Sequence, residues 1–190
     1  MSELVDAIQE NSDHARESKI NRWVAIWVSI IATFMAFCNV KDGNLVQSMD
    51  QAQAQSIDSW SYFQAKSTKQ AIVENSLEYL KAQNNPAFAD LIKKTEEKIA
   101  KYEIEKAKIK LEAEGHQKKY DEINVFDDQF DMTEAFLSIA IALFGITALT
   151  QRKWLFYFAA TISMAGIILG MAAFLKYSIH SDFISNILSW

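Results

Sequence analysis

Three stretches of this chain carry almost no charge, and they limit what it can fold into. They run from Trp23 to Val40, from about Thr133 to Leu149, and from Trp154 to Leu175. A helix rises about 1.5 Å per residue, so crossing a hydrocarbon layer of about 30 Å takes roughly 20 residues. The third stretch meets that length easily, and the first meets it closely. The second is short and must borrow residues at its ends. The reading is a multi-pass membrane protein. Its segments are a charged N-terminus (1–22), a first span (23–40), an extramembrane region (41–132), a second span (133–150) and a third span (154–177). The first stretch reads as an uncleaved signal anchor, because a long, acidic segment precedes it and no small-x-small cleavage site follows.

Orientation follows from cations near the membrane ends. Arg16, Lys19 and Arg22 precede the first span, and Arg152 and Lys153 fill the short loop between the second and third. Three spans place both groups on one side, which the rule makes the cytoplasm. Lys41 and Lys176 oppose it. The expectation is a cytoplasmic N-terminus, with the long middle region and the C-terminus on the far side. Trp23, Trp27, Trp154, Tyr157 and Tyr177 mark the borders as interfacial anchors. Residues 181–190 read as a short interfacial helix. Ser181 would cap it, and Phe183, Ile184, Ile187, Leu188 and Trp190 lie largely on one side.

The middle region has one strong punctuation mark, Asn84-Asn85-Pro86, which predicts a turn at 84–86. Asn85 suits an N-cap, and Pro86 suits the first helical position, where its missing N–H is no loss. Downstream, Phe88, Ile92, Thr95, Ile99, Tyr102, Ile109, Ala113, Tyr120, Ile123 and Phe130 follow an alternating 3,4 spacing. Lys106, His116 and Asp127 interrupt it. This is an imperfect heptad seam. Upstream, Leu45, Met49, Ala52, Ser56, Trp60, Phe63, Val73, Leu77 and Leu80 form a helical face among small and amide residues. No strand-like alternation appears. The predicted fold is all-α, with three transmembrane helices and a long extramembrane antiparallel helical hairpin of coiled-coil type. Each arm would be roughly 60 Å long. Gly115 lowers helix propensity by about 1 kcal/mol and is a place for a bend.

The run from Trp60 to Gln70 (WSYFQAKSTKQ), preceded by Ala-Gln-Ala-Gln and Asp58, resembles the hallmark of a membrane-protein family, domain of unknown function 4337. The layout is similar as well: one span, this motif, a charged helical arm, then two spans joined by Gln151-Arg152-Lys153-Trp154. The resemblance implies a bacterial inner-membrane protein. It brings no activity and no catalytic residue.

The motif invites an assembly or partner-binding role. Trp60 and Phe63 are candidate anchors, since buried aromatics dominate many interfaces. Lys66 and Lys69 lie three apart, and Gln64 and Gln70 are candidates for hydrogen bonds across an interface. Ile99, Tyr102 and Ile109 belong to the seam. Gly166 and Gly170 form a GxxxG pair, whose small residues let helices approach closely in lipid. The equally weighted alternative is an amphipathic helix packing only on its own hairpin partner.

Catalytic chemistry finds little support. No Gly-rich phosphate loop, nucleophile elbow, zinc helix motif or Ca²⁺ loop is present. His14, His116 and His180 are far apart, and one Cys makes neither a disulfide framework nor a thiolate cluster. Cys38 reads as a small hydrophobe within a span. A net charge of −5 gives no field to hold nucleic acid. The expectation is therefore no enzyme, no catalytic residue, no metal and no cofactor. The partners expected are the lipid bilayer and further copies of the chain. The function expected is a homo-oligomeric membrane scaffold or assembly protein. The alternatives are a pore or channel subunit, or an accessory subunit of another, unidentified membrane-protein complex.

Overall fold

The structure, a computed structural model, describes residues 2–179, with side chains from residue 19 onward. The expected helix at 181–190, His180 and the side chain of His14 lie outside what it describes. Three helices account for nearly all of it: α1 (Ser2–Ala82), α2 (Ala89–Thr150) and α3 (Lys153–Phe174). No strand occurs among the described residues. Each helix holds a stretch long and apolar enough to cross a membrane.

The sequence divides by composition what the backbone joins. α1 passes residues 22 and 40 without a break, and α2 passes 132 likewise. A change from apolar to charged side chains alters the solvent a helix prefers, but it removes no backbone hydrogen bond. Gly43 and Gly115 lie inside α1 and α2, and no glycine has a positive φ.

The breaks fall where backbone chemistry demands them. Past Ala82, Asn84 takes a left-handed φ of 48°, which Asn tolerates. Asn85 is extended, and its side-chain oxygen accepts from the Ala87 N–H at 3.0 Å. Pro86 then opens a 3-10 turn, Pro86–Phe88, that feeds α2. Gln151 (φ 55°) ends α2, its N–H bonded to the Thr147 carbonyl. Lys176 (φ 59°) ends α3, where Lys176 N–H reaches Ala173 O and Tyr177 N–H reaches Ala172 O. That pair of bonds is a Schellman motif with Lys where Gly is usual.

Two compact units divide the chain: residues 1–46 with 124–190, and residues 47–123. In the first, Ile31, Leu137, Ala140, Phe144 and Ala159 form a fully buried core. Trp27 stacks on Phe144 at 6.5 Å, and Phe156 meets Phe144 edge-on at 5.5 Å. Farther along, Phe130 packs edge-on against Phe174 at 5.2 Å beside Cys38 and Ala173. The buried hydroxyls of Thr133, Thr147 and Ser163 each donate to a carbonyl of their own helix. This is how hydroxyls are satisfied where no water reaches.

In the second unit, Ala52 and Ala113 are fully buried, with Met49, Ser56 and Ile109 beside them. Ser56 donates to the Ala113 carbonyl, Lys66 pairs with Glu105, and Lys81 pairs with Glu96. Residue numbers rise on one helix as they fall on the other. From Phe88 to Ile123 every position of the heptad seam, Lys106 and His116 included, is at least half-buried. The intervening positions other than Glu105 are exposed.

Candidate functional site

The Trp60 motif divides along its helix. Trp60, Phe63 and Lys66 are half-buried and Gln70 is buried, at spacings of three, three and four residues. Gln64 and Lys69 are exposed. The inward face is a cation and aromatic ladder. Trp60 meets Phe63 edge-on at 5.6 Å. Lys106 sits 5.4 Å from the Phe63 ring, and Lys66 lies 5.5 Å from Tyr62 and 5.2 Å from Tyr102. Ammonium groups over ring faces are attractive through the ring quadrupole. Lys66 also bonds the Glu105 carboxylate. That bond holds the Lys66 pKa above its ordinary value and the Glu105 pKa below its own. Lys98 extends the ladder at 5.9 Å from Tyr102. Ile99 is half-buried and Ile109 buried on the same face of α2.

Within the chain the two glutamines take different environments. Gln70 donates to Glu74 one turn along its own helix at 2.7 Å, while Gln64 points to solvent. An i,i+4 partner is always within reach on a helix, whereas a cross-helix partner requires matched register.

Gly166 and Gly170 lie in the other unit, and residues of this chain fill the space beside them. A Cβ on Gly170 would come within 2.9 Å of the Phe34 ring and of Thr133 Cγ2. A Cβ on Gly166 would stand 2.9 Å from Leu137 Cδ2 and 3.0 Å from Phe136 Cβ. The close approach that small residues permit is therefore made to α1 and α2 of the same chain.

Sequence reasoning missed three features. Glu105 flanks the seam, and only the register with Lys66 marks it. Gln129 is buried, and its amide donates to the Leu169 and Tyr177 carbonyls and accepts from Ile179 N–H. It thereby ties down the chain leaving α3. The third is an acidic cluster. Asp42 and Asp127 lie close enough to perturb each other, and Oδ1 of each is buried without a hydrogen-bond partner. Burial, then the charges of Asp42 and Asp131, push Asp127 up to about 6. Asp42 and Asp131 are raised too, burial again leading. The run Asp127, Asp128, Asp131 was visible in sequence, but its meeting with Asp42 was not. No group of three His, Cys, Asp or Glu among the described residues is arranged to hold a metal ion.

These features define an all-helical protein with three helices fit to cross a membrane, and a charged, ring-lined helix pair in its second unit. The family described as Domain of unknown function (DUF4337) matches residues 20–176, and the chain belongs to it. No curated protein and no solved structure matches the chain.

Proposed function

We propose that this chain is a non-enzymatic, oligomeric scaffold of the bacterial inner membrane. Its three apolar stretches span the bilayer, and 41–132 forms an antiparallel helical hairpin on the extracytoplasmic side. The N-terminus is cytoplasmic, as the Lys and Arg near the spans favour. Insertion is supported by how little of the apolar surface the chain covers itself. Only 17, 33 and 28% of the most apolar stretches of the three helices are buried. Lipid is the solvent that such surfaces need.

Association is carried by one observation. Ile104 and Leu111 are 73 and 72% exposed on α2, far from any apolar span. With Ala100 and Ala107, also exposed, they make a second 4,3,4 stripe beside the seam. A/d-type stripes of this kind bury themselves on another helix. The Trp60 face is occupied within the chain, whereas this stripe is an apolar surface left uncovered for a second copy.

The mass of the detergent-solubilised protein tests this. A particle of several 21.6 kDa chains is expected. The variant Ile104→Glu/Leu111→Glu is expected to fall to one chain while keeping its helix content. One chain's mass for the unaltered protein at micromolar concentration would end the proposal.

A further inference from the structure

We propose that a cavity at the Lys19 and Lys153 end of α1 and α3 binds one anionic phospholipid. Its phosphate would lie between the two ammonium groups, and an acyl chain would lie along Trp23, Trp27 and Phe156. The cavity encloses about 440 Å³, and Lys19, Trp23, Trp27, Lys153, Phe156 and Tyr157 line it. That volume suits a headgroup and the first part of a chain.

The lining sorts by chemistry along the helix axis. The two lysines stand at the ends of their apolar stretches, and no described carboxylate pairs with either. α3 begins at Lys153, and Arg152 contributes no side-chain cap. The free amides of that first turn add positive potential at the same place. The rings are held from behind. Trp27 stacks on Phe144, and Phe156 is wedged between Phe144 and Tyr157 at 5.5 and 5.8 Å. A bond from Gln151 to Asn21 at 2.9 Å joins the loop to α1 beside the mouth. Trp23 and Tyr157 are 58 and 67% exposed, so the cavity is accessible past these rings, where a lipid would enter. Cations over an aromatic slot at a span's end discriminate for a negative headgroup with a chain attached. A zwitterion brings its own cation, and a free anion leaves the rings uncovered.

This inference rests on the membrane reading, so the test separates the two. Alkaline carbonate extraction comes first, since release of the protein from vesicles would overturn both. With the protein retained, its thermal midpoint in neutral detergent is followed against added phosphatidylglycerol, phosphatidylcholine or inorganic phosphate. Phosphatidylglycerol is expected to raise the midpoint by roughly 5–10 °C at a hundredfold excess over its dissociation constant. Phosphatidylcholine and phosphate should leave it in place. Lys19→Gln/Lys153→Gln should keep the lipid-free midpoint and lose the response, and Lys153→Arg should retain it. An equal response to phosphatidylcholine, an equal response to phosphate, or a full response in the double variant would each overturn the lipid site.

Discussion

The packing of α3 makes its sharpest prediction through two glycines that meet different surroundings. Gly170 stands 2.9 Å, measured from an added Cβ, from two carbons of the Phe34 ring and from Thr133 Cγ2. Gly145, on α2, has nothing within 4 Å. Both lie inside apolar stretches, so Gly→Ala changes the same intrinsic helix preference at each, by about 1 kcal/mol in favour of Ala. Carbon atoms pack best at about 3.5–4.0 Å, so at position 170 the neighbours must retreat by roughly 0.6–1.1 Å. Thr133 is fully buried and branched at Cβ, and Phe34 faces the Phe174 ring at 6.3 Å. Thr133 has no open direction to move in, and Phe34 can yield only toward the open side where it lines a cavity with Ile30 and Phe37. Overpacking of this kind costs about 1–3 kcal/mol.

Comparing the two variants cancels the shared helix preference and leaves that packing penalty. Gly145→Ala should be neutral or slightly stabilising. Gly170→Ala should lie below it by about 1–3 kcal/mol, or roughly 2–12 °C in thermal midpoint for a chain of this size. Trimming the ring should relieve the clash, so Gly170→Ala with Phe34→Leu should show a favourable coupling in a double-mutant cycle. Thermal unfolding in detergent, followed by helical circular dichroism, measures all four variants. Coincident midpoints for Gly145→Ala and Gly170→Ala, or absence of coupling to Phe34, would refute the account of a close approach within the chain.

Protonation offers a second test. Asp127 holds its proton more tightly in the folded chain, at about 6, than at the ordinary 3.8. Its contribution is therefore fully present below about 3.8 and is lost as pH rises through about 6. The shift alone corresponds to about 3 kcal/mol, and solvent screening of this half-buried cluster reduces it to about 1 kcal/mol. Melting should occur at a higher temperature at pH 5 than at pH 7.5, and Asp127→Asn should narrow the gap; an unchanged gap would contradict the raised Asp127 carboxyl. Gln129→Ala removes three hydrogen bonds and should cost about 1–3 kcal/mol, with faster amide exchange at residue 179; unaltered exchange there would show the amide to be idle. Exchanging the charges of Lys66 and Glu105 should lower the midpoint in each single variant and restore it in part in the double. The restoration is partial because the ring contacts of Lys66 do not return, and a double as unstable as the two losses combined would deny the pairing.

What the sequence revealed followed from signals that act locally. The apolar stretches and the absence of strand alternation identify three long apolar helices, because composition and period act over a turn or two. Asn85 and Pro86 mark their turn for the same reason: the cap bond spans two residues. Other features were hidden because they depend on register between residues far apart. Lys66 and Glu105 are 39 positions apart, and nothing near either names the other. The GxxxG spacing shows that one face of α3 is flat, but the surface that meets it is decided by where Phe34, Thr133 and Leu137 arrive. Asp42 and Asp127 are 85 positions apart in sequence, and only folding brings their carboxyl groups close enough to perturb each other.

The second unit shows why those distant pairings matter more than its apolar contacts. Its fully buried side chains are Ala52 and Ala113, which bring backbones close but remove little apolar area from water. At about 25 cal/mol per Å² such contacts set distance more than they add stability. Register is then set by groups with direction: Lys66 on Glu105, Lys81 on Glu96, and lysines over Phe63, Tyr62 and Tyr102. Exposed ion pairs contribute little each, and salt screens them. Meanwhile Ile57, Ile72, Ile104 and Leu111, each at least 60% exposed, carry apolar area that the unit leaves uncovered. A helix pair that specifies its register with charges and leaves Ile57, Ile72, Ile104 and Leu111 outside is less well stabilised as a single copy than it could be. Covering Ile104 and Leu111 with a second copy would supply burial that Ala52 and Ala113 do not, which is the energetic reason to look for association in this unit rather than at the filled glycine face of α3.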